Sequence, residues 1–308
     1  MLTRTHLLIP LLLFFAATAC AQKTSFTFSE DREAGRLILS EKGMPVLAFQ
    51  RSPRLKEGVK TVYRRAGYFH PVYDLDGEPI TRDFPEDHYH HRGLWLSWPW
   101  MSYRGRKVQL WHPSALRQEF DRYLRRETGP DRATLELRNS WVLEGTSIGS
   151  ETWRLTVQAR SGDRRVIDVQ ITVRAAEHPI KLRGKRRKKK GYGGLTLRTA
   201  PSLAGGRLMT DGGGLAGDTV QEHFQWVDLS SKQRGVALMA HPSNPNAPPP
   251  WLLRNSYGGV LNAEWPGLET YTLKPGEPVT LRYRLVVHRG RMAPGTLENV
   301  FEEWKRAK

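Results

Sequence analysis

"ETWRLTVQARSGDRRVIDVQITV", residues 151–173, decides the fold class. Apolar side chains fall at every second position: Trp153, Leu155 and Val157 in the first half, then Ile167, Val169, Ile171 and Val173, with Asp168, Gln170 and Thr172 on the other side. Successive side chains of an extended backbone point to opposite faces, so a period of two marks a strand buried on one face. Arg160, Ser161, Gly162 and Asp163 between the halves form a turn sequence, and the stretch predicts a hairpin.

The rhythm recurs in "ATLELRNSWVLEG" (133–145), "RGVALMAHP" (234–242) and "PVTLRYRLVVHRG" (278–290), and "RLILSEKGMPVLAF" (36–49) reads as a second hairpin. Many strands separated by turn residues predict an all-β protein, a large antiparallel β-sandwich, rather than alternating strands and helices. Only "TLENVFEEWKRAK" (296–308) has helical spacing, with Leu297, Val300, Phe301 and Trp304 on one stripe able to cap a sheet. "HPSNPNAPPPW" (241–251) predicts a rigid irregular loop, because proline removes the donors that a ladder needs.

Arg4 is followed by an apolar run, Leu7 to Ala19, shorter than the roughly 20 residues that cross a bilayer as a helix. It predicts an export signal over residues 1–21, cut either before Cys20, which would then carry lipid, or after the small residues Ala19, Cys20 and Ala21. Residues 22–308 are then one sandwich domain. Cys20 is the only cysteine, so the mature chain has no disulfide, no cysteine-ligated zinc and no thiol nucleophile.

The net charge of +17, from 48 Lys and Arg against 31 Asp and Glu, favours anionic partners. Anionic polysaccharide or a membrane surface suits an exported chain. Nucleic acid is not expected, because no aromatic residues stand among basic ones on adjacent strands. Much of the excess lies in "RGKRRKKKGYGG" (183–194), which reads as a floppy, solvated loop between two strands.

The chemistry concentrates in "DFPEDHYHHRGLW" (83–95), which holds three of the chain's ten histidines. If residues 88–91 are extended, His88 and His90 share a face and His91 takes the other. These imidazoles suit hydrogen bonding to a ligand, or acid and base work near neutral pH. Two of them with Asp83 or Asp87 could instead hold a divalent metal, and each could simply be satisfied by backbone. Arg92 follows, then Trp95, Trp98 and Trp100, where an exposed face stacks on a sugar ring and a buried one fills a core. Trp98 is the candidate for stacking.

"RDFPEDHYHHRGLWLSW" (82–98), "KGYGGLTLR" (190–198), "VALMAHPSNPNAPPPWLLRNSYG" (236–258) and "YTLKPGEPVTLRYRLVVHRG" (271–290) resemble a family of exported bacterial proteins of unknown function, labelled PmoA-like after a methane-oxygenase subunit. The oxygenase label is misleading: that subunit is embedded in the membrane, and this chain has no spanning stretch after its signal. A looser resemblance is to the galactose-mutarotase-like supersandwich, through "GGLTLR" (193–198) and "LKPGEPVTLRYRLVV" (273–287). It implies a histidine acid and a glutamate base at the anomeric centre, with "NAEW" placing Glu264 where that base would stand.

Acid and base on a sugar must lie on opposite sides of the ring, with pKa values tuned toward neutrality. His88, His90, His91 and His241 are the candidate acids, and Asp83, Asp87, Glu222 and Glu264 the candidate bases. Arg92, Arg198 and Arg254 would grip hydroxyl or carboxylate groups and Asn244 would orient one. The expectation is an exported carbohydrate-active protein, in the periplasm, on the outer membrane of a Gram-negative cell or secreted. Its pocket would be floored by the histidine–arginine stretch and walled by the 241–258 loop, without a cofactor. The alternatives are a glycan-binding protein without catalysis and a metal-dependent hydrolase.

Overall fold

The computed structural model describes residues 25–256 and 258–306; the leader expected at 1–21, including Cys20, lies outside them. The 151–173 hairpin forms from strands Thr146–Gln158 and Arg164–Ala175, with Trp153 opposite Ile171 and Leu155 opposite Val169. Gly162 makes the turn at φ 58°, a conformation glycine adopts without penalty. The 36–49 hairpin pairs Arg36–Glu41 with Met44–Gln50.

The strands build two nine-stranded sheets and a smaller four-stranded one. The first sheet runs Phe26–Asp31, Arg36–Glu41, Met44–Gln50, Tyr68–Val72, Leu94–Ser97, Gly194–Arg198, Val260–Glu264, Pro250–Arg254, Thr219–His223. The second runs Gly213–Leu215, Arg207–Thr210, Trp226–Ser230, Arg234–Ala240, Val279–Arg289, Arg164–Ala175, Thr146–Gln158, Arg132–Leu143, Leu116–Thr128. The pairings within each are antiparallel, as a sandwich requires. Leu39, Leu94, Leu197 and Leu261 of the first sheet join Leu135, Leu155, Ile171 and Leu285 of the second in one buried core. Each such side chain contributes about 1.5–3 kcal/mol by leaving water.

The second sheet's outer face is also covered. Helix Pro294–Arg306 lays Leu297, Val300, Phe301 and Trp304 against Trp226, Ala237, Met239 and Val286. Among the described residues no helix is long and apolar enough to cross a membrane. The first sheet has no such cover. Its outer face is overlaid by loops, and there the polar side chains gather.

A carboxylate stands in the core. Glu151 is fully buried and accepts four hydrogen bonds: Gln118 Nε2 at 2.8 Å and Trp141 Nε1 at 2.9 Å on one oxygen, Asn139 Nδ2 at 2.9 Å and Trp153 Nε1 at 2.8 Å on the other. Gln118 also donates to Leu96 O at 3.0 Å, which ties the second sheet to the first. Gln118 lies on Leu116–Thr128, the outermost strand of its sheet, which has two register shifts and carries Arg117, Arg122, Arg125 and Arg126.

One expectation is overturned at this point. Trp98 is 0% exposed and does not stack on a ligand: its ring packs against Trp141 and Trp265, and its Nε1 donates to Trp265 O at 2.7 Å. The basic stretch is, as expected, an exposed loop between strands Ile180–Arg183 and Gly194–Arg198. Lys189 N donates to Arg186 O, Gly191 N to Lys185 O and Lys185 N to Tyr192 O, so the backbone closes into a compact loop.

Candidate functional site

Alternation that sends Leu94, Leu96, Leu195, Leu197, Leu253 and Leu261 into the core sends Trp95, Ser97, Thr196, Arg198, Arg254, Asn262 and Glu264 to the other face of the first sheet. Most of these polar groups are buried and satisfied by one another. Asn262 Nδ2 donates to Thr196 Oγ1 at 2.8 Å and to Leu195 O at 2.9 Å, and Trp95 Nε1 donates to Ser97 Oγ at 2.8 Å.

The histidine stretch lies over this face as a pair of turns, not as a strand. His88 N donates to Pro85 O and His91 N to His88 O. Arg92 holds the loop together from inside. Its guanidinium donates to Tyr89 O at 2.7 Å, His91 O at 3.1 Å and Tyr63 O, and lies 3.8 Å over the Phe84 ring. Asp83 joins this framework, accepting from Tyr68 OH at 2.8 Å and lying 3.4 Å from Arg92. Burial pushes the Asp83 carboxyl up. Arg92 and Asp83 therefore build the loop, through Arg92 Nη1 and Nη2 and both Asp83 oxygens, while Arg92 Nε has no partner among the described residues.

Because of the turns, all three imidazoles converge, contrary to the two-face expectation for an extended segment. The His88 and His91 rings stack at 4.6 Å, His90 meets His91 at 4.6 Å, and His112 approaches His90 at 4.2 Å. A pocket of about 110 Å³ is lined by these four histidines with Trp111, Lys190, Tyr192, Leu252, Arg254 and Val260. His90, Trp111 and His112 also wall a second pocket of about 320 Å³, between the 53–66 and 110–119 segments, to which Tyr63, Arg64 and Gln118 contribute. Trp111 and His112 were not among the candidates, their local signal being one more histidine beside a tryptophan in "LWHPS" (110–114), and Lys190 and Tyr192 entered as part of the basic stretch 183–194.

The electrostatics of His90, His91 and His112 follow from burial and crowding. Burial, then the neighbouring His112, holds His90 down to about 2. Burial, then His90, holds His91 well below its ordinary value. Burial followed by the charge of Lys185 lowers His112. These rings are neutral at pH 7 and offer one donor and one acceptor each. His91 Nδ1 is buried without a partner among the described residues.

His88 differs, with its side chain 37% exposed and its Nδ1 2.9 Å from Asp87 Oδ2. Arg198 Nη2 donates to both Asp87 oxygens, at 3.1 and 2.9 Å. Burial raises the Asp87 carboxyl, but its hydrogen bond to His88 and the Arg198 charge outweigh that and leave it below its ordinary value. An ionised Asp87 at Nδ1 keeps the proton there and the basic lone pair on Nε2 of His88. Arg198 is itself buried and orients Asp87, so it acts through the carboxylate rather than as an exposed grip.

Other candidates lie elsewhere. His241 hydrogen-bonds Ser243 Oγ at 2.8 Å and packs edge-on against Trp304 of the C-terminal helix. Asn244 is clasped to the Arg282 backbone, donating to its O at 2.8 Å and accepting from its N at 2.6 Å. Only the later part of the expected 241–258 wall, through Leu252 and Arg254, reaches the histidine pocket. Glu222, with Thr219 on its carboxylate, is exposed. Among the described residues, no three His, Cys, Asp or Glu side chains are grouped to hold a metal ion.

Glu264 sits on the same sheet face, four residues along its strand from the pocket residue Val260, a rise of roughly 13 Å. It is sealed beneath Gly191 and accepts from Gln221 Nε2, while its Oε1 has no partner among the described residues. Burial pushes it up to about 8, against the weaker pull of Gln221 and Arg254. Between its ordinary 4.5 and about 8 the folded chain keeps a proton that the unfolded chain has lost, so stability falls as pH rises through that window. Glu264→Gln cannot ionise and should flatten this decline. Urea denaturation of both proteins at pH 5 and pH 8 checks it; equal declines would mean that the folded protein carries Glu264 ionised.

Comparisons with known proteins add a family. No curated protein matches the chain in sequence. Among solved structures, a heparan sulfate lyase HepC mutant from Pedobacter heparinus aligns at TM-score 0.43 and 10% identity over 85% of this chain, which spans 36% of that enzyme's length. A galactose mutarotase related enzyme from Lactobacillus acidophilus aligns at TM-score 0.36 and 7% identity, over 87% of this chain and 100% of that one. The model of DUF6807, a family of unknown function, matches residues 37–302, and the chain belongs to that family.

Proposed function

We propose that the protein is an exported carbohydrate-active enzyme whose site is the imidazole-lined pocket on the open face of the first sheet. The observation that carries this is the convergence of His88, His90, His91 and His112, from two separate segments, with Trp111, Tyr192 and Arg254 on one cavity. Aromatic faces suit the apolar face of a sugar ring. Neutral imidazoles both donate and accept, which matches hydroxyl groups. Arg254 adds a planar fork of donors. His88, oriented by Asp87 and through it by Arg198, is the group placed to take or give a proton. The reaction class is proton transfer at a sugar, in anomerisation, epimerisation, elimination or hydrolysis.

A second reading, glycan binding without turnover, is favoured by one observation. Glu264, the candidate partner base, is sealed away from the imidazoles. An oligosaccharide panel followed by NMR separates the two. In the catalytic reading the wild type converts at least one sugar, and His88→Ala slows that by about 100-fold or more while binding persists. Binding by the wild type with no product from any sugar would leave only the second reading.

A further inference from the structure

A third pocket, of about 300 Å³, opens beside the histidine pocket and is lined by Lys185, Arg187, Lys188, Lys190 and Tyr192. Lys190 and Tyr192 belong to both, so the two cavities share a wall and one ligand can reach from one into the other. Six consecutive cations, Lys185 to Lys190, repel one another, and a free loop would splay them into solvent. Here the backbone closes on itself, and Lys188 and Lys189 are held at φ 57° and 48°, in the left-handed region that L-residues rarely occupy. Arg187 and Lys188 are exposed and Lys185 and Lys190 half-buried, so the loop carries its charge at the mouth of the cavity. Among the described residues, no carboxylate pairs with Lys185, Arg187, Lys188 or Lys190. A strained loop that gathers uncompensated charge around a cavity fits an anion supplied from outside.

We propose that this pocket is an anion subsite, which takes a carboxylate or sulfate ester carried by the sugar next to the one over the histidines. The inference rests on the carbohydrate reading of the histidine pocket and narrows it to acidic oligosaccharides. The subsite anchors the ligand by charge, while His88 and its neighbours handle the adjoining ring.

Titration of charged and charge-erased pairs tests this: oligogalacturonate against its methyl ester, and a chondroitin sulfate tetrasaccharide against its desulfated form. The wild type should bind at least one charged member about 10-fold or more tightly than its neutral counterpart, as charge-assisted hydrogen bonds imply. The uronate and sulfate arms tell which anion is preferred. Arg187→Ala/Lys188→Ala should erase the difference and leave the neutral member's affinity unchanged, and raising salt should do the same by screening. Equal affinity within both pairs, or a preference that survives in the double variant, overturns the subsite. A preference that vanishes in the double variant, together with affinities for both members of the pair that His90→Ala leaves unchanged, keeps the subsite and sinks the sugar reading of the histidine pocket.

Discussion

Glu151→Ala is expected to destabilise the protein by roughly 3–5 kcal/mol, because each buried donor left without an acceptor costs about 1–3 kcal/mol. In a domain whose whole stability is about 5–15 kcal/mol, that is a large share. Each Glu151 oxygen accepts two donors, and truncation would orphan both indole N–H groups in an apolar core. Glu151→Gln should be milder yet still destabilising, because its amide nitrogen would face two donors where an acceptor is needed. The damage should also reach the large pocket, since Gln118, which donates to Glu151, lines that cavity and accepts from Arg65 with its other end. Urea denaturation gives the stability. A Glu151→Ala midpoint equal to that of the wild type would show that the four donors find other partners.

Gly191→Ala should release the basic loop. Gly191 has φ 65°, and a Cβ there would fall on Glu264 Oε2 and Gln221 Nε2, so the substitution meets both a left-handed penalty of about 1–2 kcal/mol and a collision. The loop has little room to yield, because a Cβ at Gly184 would in turn strike the Gly191 carbonyl. The expected result is faster amide exchange over residues 184–192 and hydration of Glu264, whose pKa should drop from about 8 toward its ordinary 4.5. Under the proposed function, affinity for a glycan should fall as well, because Lys190 and Tyr192 would leave the pocket. Unchanged exchange across the loop would show that Glu264 and Gln221 move aside instead.

The hairpins and the C-terminal helix were legible because their signals are local: a period of two, a turn, then a period near four. The open face was not, since it depends on pairings such as Leu94–Ser97 with Gly194–Arg198, distant in sequence. The histidine stretch was visible by composition, but its geometry was misread. Arg92, taken for a ligand grip, binds backbone carbonyls and folds the segment into turns, so rings assigned to opposite faces meet. His112 joins them only through tertiary closure, and nothing in "LWHPS" announces that. Trp98 illustrates the same limit: its place in the core follows from packing against Trp141 and Trp265, both distant in sequence. His241 and Asn244 stood in a proline-rich loop of the kind that often carries function, but that loop is fastened toward the C-terminal helix.

The twice-interrupted outer strand Leu116–Thr128 bears on how molecules of this protein behave in a crowd. A neighbour seeking to extend the sheet would need an unbroken row of main-chain donors and acceptors, and would find kinks studded with guanidinium groups. Lateral polymerisation is thereby discouraged at a border that a chain so rich in strands must otherwise defend.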